Sequence, residues 1–175
     1  LEAQKKGARV VILEADTRLG GATSNSGGVF YACGTSVQRA KGIENDTPQD
    51  VYDYLMTLNQ WKQRPDLIRY YAERCGETLE WLLELGAQFS PKWLVKSGVD
   101  TVARGHSCEG GGKGITDALI NAVGASGVES VVDCRVESLI VEDGKVVGVR
   151  AQGTELYAPS VIITTGGIGN SPEML

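Results

Sequence analysis

Apolar and polar positions along the chain fall into stretches of two different periods. Residues 1–7 (LEAQKKG) read as the last turns of a helix stopped by Gly7. Arg9 to Glu14 (RVVILE) is short and almost wholly apolar, the pattern of a strand buried in a parallel sheet. A long stretch, DTRLGGATSNSGGVFYACGTS, has no helical period, and loops of that length inside a domain are usually functional or mis-assigned. Thr47-Pro48-Gln49-Asp50 is a helix start, with Thr as N-cap, Pro at N1 and Asp in the first turn. Val51, Tyr54, Leu55 and Leu58 then recur at helical spacing. A second start at Pro65-Asp66 leads through Leu67, Ile68, Tyr71 and Cys75, and a third apolar face, Leu79, Leu82 and Leu83, closes at Gly86. These three helices read as scaffold, because core packing alone accounts for their stripe.

Residues 90–114 read as irregular and end in EGGGKG; Ile115 to Val123 is helical by period. Strand signals follow: SVVDC, then VESLIVED and VVGVRAQ on either side of Asp143-Gly144, a two-residue hairpin signal. Glu155 to Ala158 adds a third strand to a small meander, and Val161 to Thr165 (VIITT) is a second buried-strand candidate before Gly166-Gly167. The class that emerges is α/β, with a parallel core and an antiparallel appendage.

Composition narrows the partners. Of 175 residues, 42% are hydrophobic, enough for a packed core, and no apolar run approaches the roughly 18 residues of a membrane span. Seventeen basic against 22 acidic side chains give −5 with no polybasic run, which argues against a nucleic acid or an anionic membrane as partner. Cys33, Cys75, Cys108 and Cys134 form no Cys-x-x-Cys, and His106 is the single histidine, so no metal site is expected. Separate reduced thiols fit a cytoplasmic protein. Glycine, 23 of 175, is in excess and clustered, which points to loops lined by backbone.

Several motifs fail. Around Gly112-Lys113, Ser107 and Gly114 stand where a phosphate loop needs Gly and Ser or Thr. Gly167-Ile168-Gly169 is followed by Pro172 where a dinucleotide fingerprint needs its third Gly. No local signature of a Ser/His/Asp triad is present. What remains is an apolar strand ending in an acid, Glu14. At a strand end a carboxylate can accept the ribose hydroxyls of a dinucleotide; the alternative is a solvated strand end. The strand and glycine turn that belong roughly 20 residues earlier do not fit in the 13 residues before Glu14, so an N-terminally truncated chain is expected. Beyond the acid lies Gly20-Gly21-Ala22-Thr23-Ser24-Asn25-Ser26-Gly27-Gly28, whose bare backbone and small hydroxyls suit a flat ring or a pyrophosphate. A flexible linker has the same composition, but this tract sits between a buried strand and helices.

Strand-Glu, GG-x-[ST]-x-x-SGG, Arg-x-His before a glycine cluster and helix, a β-meander, then TGG: this order resembles the FAD-binding domain of the fumarate reductase/succinate dehydrogenase flavoprotein superfamily. GGVFYACGTSVQRAKG followed by DTPQDVYDYL looks closest to its 3-ketosteroid dehydrogenase branch. The resemblance implies an incomplete Rossmann-like, glutathione-reductase-type FAD-binding domain over 1–175, with its first strand and glycine turn missing and a substrate-capping domain after 175. It implies that Glu14 holds the adenosine ribose, and that Gly20, Gly21, Thr23 and Ser24 line the pyrophosphate and flavin side. Ser26, Gly27 and Gly28 would approach the isoalloxazine, Val136 would meet the adenine through its backbone, and Thr165 and Gly166 would close over the dinucleotide. Arg104 and His106 match a segment near the flavin, with a structural role the more ordinary one. Covalent members carry a His just after the double glycine; Gly21 stands near that position, so the FAD is expected to be non-covalent. The implied activity is reduction or dehydrogenation of a carbon–carbon bond next to a carbonyl or carboxylate. A small unsaturated dicarboxylate and a steroid-like ketone compete as substrate; Phe30 and Tyr31 lean toward the ketone, though core packing explains them equally. The electron partner is not read, and the catalytic acid or base is expected outside these residues. An NAD-binding α/β module and an inactive fragment are the alternatives.

Overall fold

The computed structural model describes residues 1–169 and 171–174. They form two compact units, one made of Leu1–Ala22 with Ser126–Leu175, the other of Thr23–Ala125. In the first unit, α1 (Glu2–Lys5) ends ahead of Gly7, as its sequence predicts, and leads to β1 (Val11–Leu13). β1 pairs in parallel with β5 (Glu129–Val131), Val11 opposite Glu129 and Leu13 opposite Val131. The parallel core is therefore real, but β1 is not buried on both faces: Val11 is exposed, and Ile12 and Leu13 are half-buried. Among the described residues its sheet has two strands, so each strand keeps one unpaired edge.

β6 (Val136–Glu142), β7 (Lys145–Ala151) and β8 (Thr154–Tyr157) form the expected antiparallel meander. Asp143 and Gly144 both have positive φ (47° and 75°), the turn geometry that matches the right-handed twist of a hairpin. Val161–Thr165 departs from expectation: it forms no strand, and Ile162 and Ile163 are 80% and 63% exposed. An apolar run becomes a buried strand only where a ladder and a cover exist, and no described strand pairs with it.

In the second unit, the antiparallel sheet has the order β2 (Val29–Tyr31), β4 (Gly105–Cys108), β3 (Phe89–Val95). β3 and β4 lie largely in the stretch read as irregular. Their pairing is long-range and its register shifts between Phe89 and Leu94, so no alternation marks it in the sequence. Two short helices were likewise not predicted, α2 (Gly21–Ser24), within which the boundary between the units falls, and α3 (Ser36–Ala40). α3 is started by a capping box: Thr35 accepts from the Gln38 N–H, and the Gln38 side chain accepts from the Thr35 N–H.

α4 (Pro48–Leu58) begins as its sequence dictates, with Thr47 and Asp50 forming a second capping box. The two apolar faces beyond it belong to one helix, α5 (Pro65–Glu84), so the three scaffold helices are two. The stripe through Tyr71, Cys75, Leu79 and Leu82 keeps a single helical period across Gly76. Val51, Ala72, Cys75, Leu79, Leu82, Phe89, Leu94 and Ile115 meet in the core of this unit. α6 (Gly111–Ser126) starts four residues before the predicted Ile115, inside the glycine cluster.

Candidate functional site

The residues singled out in the first unit lie on β1, β6 and the turns around them. Glu14 follows β1 directly: its N–H donates to the Val131 carbonyl (2.9 Å), and its own carbonyl accepts from the Cys134 N–H (2.8 Å). The backbone on which the carboxylate is mounted is thus fixed from both sides. Glu14 Oε1 accepts from the Asp16 N–H at 2.9 Å, which orients the carboxylate at the strand end. Gly20 and Gly21 both have positive φ (123° and 49°). A Cβ at Gly21 would meet nothing within 4 Å, and the same holds at Gly166. Thr165 and Gly166 are exposed, in the irregular segment that replaces the expected strand. Val136 opens β6 opposite Ala151.

The second unit carries Thr23, Ser24, Ser26, Gly27 and Gly28. This loop is bound down hard rather than being a linker. Ser26 donates to the Thr23 carbonyl from both its N–H (3.0 Å) and its Oγ (2.8 Å), and Ser26 Oγ accepts from the Gly28 N–H (3.3 Å). The Gly112 N–H, in the first turn of α6, donates to the Ser26 carbonyl at 3.0 Å, and the Cys108 N–H donates to the Gly28 carbonyl at 3.0 Å. Close approach is possible because side chains are missing. A Cβ on Gly28, at φ +66°, would lie 2.1 Å from the Gly111 carbonyl carbon, and one on Gly112 would lie 1.8 Å from the Thr23 carbonyl oxygen. Gly111 and Gly112 are the residues that sequence reasoning missed. Their signal is the run of three glycines, Gly110 to Gly112, just ahead of a helix. Gly27, by contrast, is exposed and its Cβ position is open, so a flat group can approach its backbone.

Behind the loop, β4 carries a buried polar network. Arg104 donates from Nε to both oxygens of Asp46 (2.9 and 3.0 Å), from one terminal nitrogen to Asp46 Oδ1 (2.6 Å) and from the other to Asp100 Oδ1 (2.7 Å). Gln38 Nε2 donates to Asp46 Oδ2 at 2.7 Å and to the Ala103 carbonyl at 3.1 Å. His106, 1% exposed, has Nδ1 2.7 Å from the Arg104 carbonyl and Nε2 2.8 Å from Thr35 Oγ1. The carbonyl can only accept, so Nδ1 carries the proton and Nε2 accepts from the Thr35 hydroxyl. Burial lowers the His106 pKa below its ordinary value, against the opposing pull of the Arg104 and Phe30 carbonyls. Both ring nitrogens are engaged by neighbours within the fold. Phe30 packs against the core, and Tyr31 stacks on Tyr54 with ring centroids 5.9 Å apart.

The first unit thus presents an oriented carboxylate at a strand end, and the second a clamped loop with the Ser26 hydroxyl and an open backbone position at Gly27. Among the described residues no group of three His, Cys, Asp or Glu side chains could hold a metal, and no helix is long and apolar enough to cross a membrane. Comparison with known proteins agrees with the flavin reading. The profile of a family described as "FAD binding domain" matches residues 1–175. The probable fumarate reductase Ifc3 of Shewanella frigidimarina is 33% identical over 186 aligned positions, which cover 100% of this chain and 31% of that protein. Two solved structures share the fold. A 3-ketosteroid-Δ4-(5α)-dehydrogenase from Rhodococcus jostii RHA1, in complex with 4-androstene-3,17-dione, is 29% identical at TM-score 0.77, over 89% of this chain and 39% of that one. The open conformation of a flavocytochrome c3 fumarate reductase is 32% identical at TM-score 0.79, over 86% of this chain and 27% of that one. The chain thus spans less than two-fifths of each of these relatives. It belongs to the FAD binding domain family of the fumarate reductase/succinate dehydrogenase flavoproteins.

Proposed function

We propose that this chain is the flavin-holding part of an oxidoreductase that adds or removes two hydrogens across a carbon–carbon bond beside a carbonyl or carboxylate, with FAD held non-covalently. The observation that carries the reading is the clamped Thr23–Gly28 loop, whose backbone is pinned by Gly112 and Cys108 while Gly27 stays open. An NAD-binding module has no use for such a loop. When bound, FAD supplies hydride exchange at a ring nitrogen. The residues of this chain bind and orient: Glu14 accepts from the adenosine ribose hydroxyls, and Val136 meets the adenine through its backbone. Gly20, Gly21, Thr23 and Ser24 line the pyrophosphate side, Ser26, Gly27 and Gly28 face the ring system, and Thr165 and Gly166 close over the dinucleotide. Gly21 offers no imidazole for covalent attachment.

The test is an absorption spectrum of the protein expressed from its complete gene, taken before denaturation and on the filtrate afterwards. Yellow flavin in the filtrate supports non-covalent FAD; colour retained on the protein overturns the argument from Gly21. A folded, colourless protein that takes up no added FAD overturns the flavin reading. Turnover of an unsaturated dicarboxylate against a steroid-like ketone then separates the two substrate classes.

A further inference from the structure

Cys33 and Cys75 stand apart from everything the flavin reading uses. They are 42 positions apart in sequence, yet their sulfurs lie 3.9 Å from each other in the core of the second unit. The Cys75 thiol donates to the Ala72 carbonyl at 3.4 Å, which leaves its sulfur to accept from the Cys33 thiol. The two backbones are already in contact: a Cβ on Gly76 would lie 2.4 Å from the Cys33 carbonyl oxygen. Both cysteines are buried, 3% and 2% exposed, and a groove approaches the pair on its Cys33 side, one helical turn from Cys75. An open groove of about 330 Å³ is lined by Cys33 and by Ala72 and Gly76, the residues flanking Cys75 on one face of α5. Its remaining wall carries the carboxylates of Glu73, Glu77 and Glu80.

We propose that Cys33 and Cys75 are a peroxide-oxidisable thiol pair that closes to a reversible disulfide. The sulfurs must approach from 3.9 Å to about 2 Å, which side-chain rotation supplies when the backbones are this close. Three carboxylates around the groove disfavour an anionic disulfide oxidant and leave a small neutral peroxide as the class that fits. The Cys33 S–H directed at Cys75 holds the Cys75 thiol below its ordinary pKa, with backbone N–H groups assisting, so Cys75 is the first to ionise. Its thiolate attacks one peroxide oxygen. The S–O bond forms, the O–O bond breaks, and the departing hydroxide takes a proton to become water. Cys33 sulfur then attacks Cys75 sulfur. The S–S bond forms, the S–O bond breaks, and the leaving hydroxide carries off the Cys33 proton as a second water. Two thiols are oxidised by two electrons and one peroxide is reduced to two waters.

The test exposes the reduced protein, expressed from its complete gene, to hydrogen peroxide, followed by alkylation in denaturant and peptide mass mapping. The expected result is a cross-linked peptide joining Cys33 and Cys75, lighter by two hydrogens than its reduced halves and cleaved again by dithiothreitol. Of the four cysteines in residues 1–175, Cys108 and Cys134 stay alkylatable. Cys33→Ser and Cys75→Ser each abolish the cross-link, and Cys134→Ser keeps it. The proposal is overturned if all four cysteines remain alkylatable, if Cys33 or Cys75 goes to sulfinic acid without a cross-link, or if either pairs elsewhere. The unsubstituted protein decides the matter even where a variant does not fold.

Discussion

Gly112→Ala and Gly124→Ala place the same methyl group on the same helix and should have opposite effects. At Gly112 the new Cβ would sit 1.8 Å from the Thr23 carbonyl oxygen, 2.3 Å from Ser26 Oγ and 3.0 Å from the Ser26 carbonyl. Ordinary contact between such atoms begins near about 3.5 Å, so the Thr23–Ser26 backbone must retreat by more than about 1 Å. Overpacking of this kind costs about 1–3 kcal/mol, and the gain in helix propensity returns at most about 1 kcal/mol. The Gly112 N–H bond to the Ser26 carbonyl is strained by the same movement. Gly124 is exposed on α6, and a Cβ there meets nothing within 4 Å, so only the propensity gain of about 0.5–1 kcal/mol remains. Urea or thermal melts of the FAD-free protein should show Gly112→Ala destabilised and Gly124→Ala stabilised, by about 2–4 °C per kcal/mol. FAD titration should show binding weakened about tenfold or more by Gly112→Ala, since about 1.4 kcal/mol of displaced loop suffices, and unchanged by Gly124→Ala. If Gly112→Ala melts like Gly124→Ala, the close packing of loop on helix is wrong. If it is destabilised but binds FAD normally, the loop is clamped for stability alone.

Asp46→Ala should cost about 3–5 kcal/mol, because it strands the buried Arg104 guanidinium with Asp100 alone and takes a partner from Gln38. Replacing Asp46, Asp100 and Arg104 together by Leu, Leu and Met should cost less than that single change; a larger cost in urea melts would show that the network is stabilising in itself. His106 is held below its unfolded pKa of about 6.5, so between the two values the unfolded state binds more protons and stability falls as pH drops through that window. Urea midpoints near about pH 5.5 and about pH 7.5 should therefore differ, and His106→Asn should flatten the difference; an equal slope in the variant would assign the acid sensitivity elsewhere. Glu14→Leu should weaken FAD binding about 10–100-fold, the worth of a hydrogen bond to a charged acceptor, with little change in the melting of the FAD-free protein. An unchanged dissociation constant would remove Glu14 from the site.

The parts of this chain that could be read in advance are those whose cause lies within a few residues. Thr47, Pro48 and Asp50 start α4 because a capping box needs only its own four positions, and Asp143-Gly144 turns a hairpin because both residues tolerate positive φ. The continuity of α5 across Gly76 has its cause elsewhere in the fold. In α5 this glycine makes room for the Cys33 carbonyl, a partner that sequence does not reveal. The strand at Gly105–Cys108 has no alternation because it is the central strand, with β2 and β3 on its two edges, and a Cβ on Gly105 would lie 2.8 Å from a Val95 methyl. Val161–Thr165 errs in the opposite direction: its apolar run implies burial, but burial belongs to a pair of surfaces and not to one run. The candidate site divides along the same line. Glu14 and the Thr23–Gly28 tract could be found because strand, acid and glycine loop follow one another in the chain. The clamp at Gly111 and Gly112 could not, since it depends on residues more than eighty positions away. His106 carries the distinction into chemistry. The one histidine reads from sequence as structural before catalytic, and Thr35 and the Arg104 carbonyl occupy its two ring nitrogens while burial lowers its pKa. The two bonds fix the tautomer and the orientation of the ring, and neither partner can be read from the histidine's own neighbours in sequence.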